Sequence, residues 1–322
     1  MSARLLVVLL ALPLVSHAEG LPGFEDFRRV DRSRRLLGQL QTAELLEVNQ
    51  IDTKLILRTA QEHSNDFRVV WGAAELVVLW PQKQPVYEAA LQLSSNSVPV
   101  ALRYACAAAR QGESELALRL ARFGQTADPE NTLPWLLELW VRASQKRPAQ
   151  LSKDPILRPT TYQDYSAEAS EARIRLLEKA GYSPYAARRL GFKADSDALL
   201  IIKELARPPI PEVTKLLLKD TATYLQTRRQ FFLSEMIGQT IERTLFALRE
   251  DVDRSVEVRV RTNEIEKRRE EMQQLLGEME RNVIDYATEK QMVQYFNEVL
   301  SLGEEDAMRG LAAVVRRPSE SK

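Results

Sequence analysis

Cysteine and histidine are nearly missing from this chain of 322 residues, which has one cysteine, Cys106, and two histidines, His17 and His63. A single thiol excludes any intrachain disulfide, so packing alone must hold the fold. Neither a CxxC nor an HExxH spacing occurs, which argues against a zinc site. A Ser-His-Asp triad would have to use His63, which ends a predicted helix in "RTAQEHSNDF" and is expected to be a surface or capping residue. Glycine is also scarce, at 12 residues, with no GxGxxG or GxxxxGK[ST] among them, so no nucleotide or other cofactor is expected. Neither charge sign dominates: 45 Lys and Arg balance 45 Asp and Glu, leaving no global field to draw in a nucleic acid. Runs of β-branched residues are few, while Leu, Ala, Glu and Arg abound. This composition predicts an all-α protein.

Only the N-terminus carries a long apolar run. "MSARLLVVLLALPLVSHAEG" has Arg4, eleven apolar residues from Leu5 to Val15, then Ser16-His17-Ala18. A transmembrane helix needs roughly 20 apolar residues, so a cleaved signal peptide over residues 1–18 is expected, with no membrane segment after its removal. None of the seven Asn residues after it starts an Asn-X-Ser/Thr sequon. With the absent disulfides, this favours a periplasmic or secreted bacterial protein. Cys106, set among alanines in "RYACAAARQG", is expected to be buried, with interchain pairing as the sharper alternative.

Residues 98–131 read "VPVALRYACAAARQGESELALRLARFGQTADPEN". Ala101, Tyr104, Ala105 and Ala108 share one helical face, Gly112 supplies a left-handed stop, and Leu116, Ala117, Leu120 and Ala121 form the face of a second helix. Asp128-Pro129 ends it. Counting Val98 as position one, Ala105, Ala117 and Pro129 fall at positions 8, 20 and 32. The segment resembles a tetratricopeptide (TPR) repeat. One period earlier, residues 64–97 place Trp71, Ala74, Tyr87 and Ala90 at positions 8, 11, 24 and 27; one period later Trp135 takes position 4. The pattern departs at Lys83 and Gly124, and Pro81 with Pro85 is expected to break the second helix of the earlier unit. The resemblance covers about residues 64–145.

It implies a helical repeat domain over 24–147 that offers a face to a protein partner. Trp71, Tyr87, Tyr104 and Trp135 are the candidate protein-binding residues, in competition with a role in the core. Residues 148–163, with three prolines, are expected to be a linker, followed by a helical C-terminal domain over 164–309 and a flexible tail over 310–322. Met272, Leu276, Met279, Val283, Tyr286, Val293, Phe296 and Leu300 recur near a 3.5-residue period. This predicts a coiled-coil-like seam that packs in cis or builds a homo-oligomer through 272–300. Residues 249–271, dense in mixed charge, are expected to project into solvent.

No catalytic or metal constellation is found. "RQGES" resembles the Glu-Ser fragment of helical lytic transglycosylases, but Glu113 and Ser114 fall in the repeat's turn. The expectation is an exported, non-enzymatic helical scaffold or adaptor for protein partners, with a structural homo-oligomer as the alternative.

Overall fold

The computed structural model describes residues 21–37, 51–146, 151, 159–192, 196–228, 231–248, 255–279 and 286–315, and the expected signal peptide lies outside them. Among the described residues the protein is all-α. It starts with α1 (Phe24–Leu37) and α2 (Thr53–Glu62). The segment expected to hold the repeats gives α3 (Phe67–Leu76), α4 (Trp80–Leu93), α5 (Val98–Arg110), α6 (Ser114–Ala127) and α7 (Leu133–Ser144). Then follow α8 (Ser166–Lys179), α9 (Pro184–Gly191), α10 (Ser196–Leu205), α11 (Glu212–Arg228), α12 (Phe232–Ala247), α13 (Ser255–Glu278), α14 (Glu289–Leu302) and α15 (Glu304–Val314). No described helix is long and apolar enough to cross a membrane.

Local chemistry sets most boundaries. Asp52 and Asp66 cap α2 and α3 by accepting backbone N–H groups, and Ser183 caps α9 with Pro184 in its first turn. Gly112 follows α5 at φ +82°, a conformation that costs glycine little. Pro85, expected to break α4, lies within it. Five residues from the helix start it forfeits one backbone hydrogen bond, while Pro81 stands in the first turn where no such bond is owed.

Two apolar cores share one wall. Val70, Trp71 and Ala74 of α3 and Ala169 and Ala172 of α8 enter a first core with α4–α7 and α10–α12. Val69 and Ala73 of α3 and Ile174, Leu176 and Leu177 of α8 enter a second, with α1, α2, α9 and α13–α15. The α3–α8 crossing spans the expected linker, so helices on either side of it pack against each other. The end of that linker is itself pinned: Thr132 N donates to Thr161 O (2.8 Å), and the Asn131 side chain exchanges hydrogen bonds with the Gln163 backbone at 3.0 Å. The tail expected from residue 310 is helical through Val314, where Leu311 is buried.

The expected seam is divided between α13 and α14. Met272 of α13, Met279 just after it and Phe296 of α14 are buried in the second core, so the chain's own helices cover them. Val283 lies outside the described residues.

Candidate functional site

The four aromatic residues expected to bind a partner are buried: Trp71 and Trp135 are 4% exposed, Tyr87 and Tyr104 1%. The structure brings three of them together. Tyr87 and Tyr104 stack with ring centroids 4.9 Å apart. Trp71 Nε1 and Tyr87 Oη both donate to Glu75 Oε1, at 3.1 and 2.9 Å. Trp135 belongs to the same core from α7. These side chains are packing residues because the helices that open each unit, α3, α5 and α7, are themselves covered: α8 lies on α3, α10 on α5 and α7, and α11 on α7. The chain's own later helices therefore pack against α3, α5 and α7.

Glu75, missed by the repeat pattern, is the centre of this knot. Arg103 Nε donates to Oε1 at 3.0 Å and its Nη2 to Oε2; Arg173 Nη1 reaches Oε2 at 3.3 Å. Burial raises the Glu75 pKa, but the Arg103 and Arg173 guanidiniums outweigh it and hold the carboxyl at about 2. Arg173 also donates to Gly191 O (2.7 Å) and Ser170 Oγ (2.8 Å). The carboxylate is occupied by donors on several sides, which is the geometry of a structural clasp and not of a general base. A Glu inside "VVWGAAELVV" was the available signal, since a charge on an otherwise apolar helix must find a partner.

An open cavity of about 410 Å³ lies elsewhere, among α1, α9, α13, α14 and α15. Its walls are Phe24, Tyr185, Phe192, Tyr295, Phe296, Leu276 and the methionines Met279, Met292 and Met308. Edge-to-face and tilted ring contacts fix the aromatic side, with Phe24 and Tyr185 centroids 4.8 Å apart and Phe192 and Phe296 5.7 Å. The methionines are adaptable filler that suits a variable apolar ligand. Polar groups are few and convergent: Arg28, Asp31, Arg189 and Glu304. Arg189 Nη2 pairs with Asp31 Oδ1 at 2.6 Å, and its guanidinium stands over the Phe27 ring. Burial pushes the Glu304 carboxyl up, partly offset by the Phe232 N–H that donates to it at 2.8 Å. Burial likewise lifts the Tyr185 hydroxyl to about 12. A concave apolar wall with a few oriented polar groups is the usual form of a binding site. The sequence marks Met279 and Phe296 as seam residues; it does not mark Phe24, Arg189 or Tyr185, because their convergence depends on tertiary packing.

Of residues 249–271, expected to project into solvent, 249–254 lie outside the described residues, and 260–271 project only in part. Arg261 and Arg268 of α13 turn inward onto acids of α12 and α15. His63 stands at the C-cap of α2, and Glu113 lies exposed in the turn before α6. Among the described residues, no three His, Cys, Asp or Glu side chains converge as a metal site requires. In comparisons with known proteins, the chain has no significant match to any family model, curated sequence or solved structure.

Proposed function

We propose that this chain is an exported helical scaffold that binds a protein partner, and that the partner anchors an apolar segment in the cavity among α1, α9, α13, α14 and α15. One observation supports this reading. The cavity joins aromatic and methionine walls to a small set of charged groups, while the opening helices of the repeat units are already covered. Binding through the TPR-like face gives way, in this reading, to binding through the second core. Export and a periplasmic location rest on the N-terminal sequence alone.

The test is a crosslinking pull-down from the envelope fraction with the chain from Glu19 onward. Leu276 lines the cavity and is 38% exposed, so Leu276→Glu can be made without opening the core. Retention of a specific protein by the wild type, lost in Leu276→Glu at unchanged helicity, supports the scaffold. Equal retention by both moves the partner surface away from this cavity. Recovery of the chain alone favours the homo-oligomer.

A further inference from the structure

We propose that α13 is a detachable wall of this cavity, latched onto α12 and α15 by a polar seam whose release opens the site. This rests on the reading of the cavity as the binding site, but the latch itself is argued and tested separately.

The inner stripe of α13 reads Arg261, Ile265, Arg268, Met272 and Leu275, and Met279 continues it just past the helix end, all spaced three or four apart. Its first half carries two arginines where a core-facing helix would carry leucines. The stripe of α12 beneath it is equally polar: Glu235, Gln239 and Glu242 follow one another at i, i+4 and i+7. The two ridges pair in antiparallel order. Arg268 Nε donates to Glu235 Oε1 at 2.7 Å, and its other nitrogens reach Glu305 of α15. Arg269 Nε donates to Gln239 Oε1 at 3.0 Å. Arg261 Nε donates to Glu242 Oε1 at 3.0 Å and its Nη2 to Gln226 of α11 at 3.1 Å. Beside the seam lies an open groove of about 570 Å³ lined by Arg261, Ile265 and Arg268 with Gln226, Glu235 and Gln239.

A seam of this kind is specific yet cheap to open. Opening the Arg261–Arg268 half of this seam uncovers Ile265 alone among its buried apolar side chains, while its arginines and carboxylates rehydrate. With few buried apolar contacts, that half belongs to the low-stability end of a fold. Because a helix moves as a rod, lifting the arginines also swings Leu276 and Met279 in the cavity wall. The mixed charge that makes α13 look like a solvated helix in the sequence is therefore its attachment.

Thiol labelling tests the latch, because the chain provides an internal reference. Cys106 is buried in the first core, on α5. Ile265, 2% exposed on the inner stripe of α13, becomes a reporter as Ile265→Cys. The proposal expects the thiol introduced by Ile265→Cys to label at least tenfold faster when Arg268→Gln is added, with the rate at Cys106 unchanged. Equal acceleration at both thiols would mean that the clasp holds the whole fold, and no acceleration at either would mean that the apolar side chains hold α13; both overturn it. Hydrogen exchange on the chain with only Arg268→Gln provides a second reading. Faster exchange confined to residues 255–279 supports the latch, and uniform or unchanged exchange overturns it. Neither measurement uses a partner, so a failed pull-down and a failed latch are distinguishable.

Discussion

Gly72 of α3 and Ala172 of α8 cross so closely that a Cβ on residue 72 would stand 2.3 Å from the Ala172 carbonyl oxygen. The obstacle is backbone, which cannot swing aside as a side chain does. Alanine is worth up to about 1 kcal/mol more than glycine inside a helix. Overpacking a rigid contact costs about 1–3 kcal/mol, and this contact belongs at the upper end. Gly72→Ala is therefore expected to destabilise the protein by about 2 kcal/mol, against its helix propensity. Urea denaturation followed by circular dichroism measures it.

Glu75 is expected to make the fold acid-sensitive. Its folded pKa of about 2 lies below the ordinary glutamate value of 4.5. The stabilisation is thus fully present above about pH 4.5 and is lost as pH falls through 2, amounting to about 3 kcal/mol over that window. Glu75→Gln at neutral pH takes a buried counter-charge away from both guanidiniums, which costs about 3–5 kcal/mol. Melting temperatures of both proteins between pH 2 and 7 should converge on the acid side. Curves that stay parallel would remove Glu75 from this role.

Trp135→Ala is expected to cost about 3–5 kcal/mol, as the loss of a buried aromatic does, and not to act as a selective binding mutation. The check is thermal unfolding, and a variant with native stability would return Trp135 to the list of surface contacts.

Cys106, 1% exposed, is expected to resist thiol reagents until the protein unfolds. Its electrophoretic mobility without reductant should match that with reductant. A disulfide-linked dimer of the native protein would contradict the burial of α5.

Short-range features were legible in the sequence. Gly112, Ser183-Pro184 and Asp128-Pro129 mark helix ends where the structure has them, because caps and φ preferences act within a few residues. Pro85 misled because the cost of a proline depends on its distance from the helix start, which the repeat register did not supply. The covering of α3 by α8 was illegible: alanines and a glycine at helical spacing state that something packs closely, but not which helix does. The cavity was partly visible, through Met279 and Phe296, while Tyr185 and Arg189 reach it only by tertiary contact. For α13, charge density suggested exposure; the informative fact was that Arg261 and Arg268 fall on the same stripe as Ile265 and Met272.

The contact between Gly72 and Ala172 also orders events in time. The two residues are 100 positions apart. A chain emerging N-terminus first, from a ribosome or through a translocation pore, completes the repeat helices long before α8 arrives to cover α3. Through that interval Trp71 and its neighbours have only half their partners, and the nascent chain presents an apolar helix that a holdase can grip. Maturation then depends on a helix from the middle of the chain reaching back over the first third, so a premature stop directly after the repeats should leave a species that is degraded and not a smaller working domain.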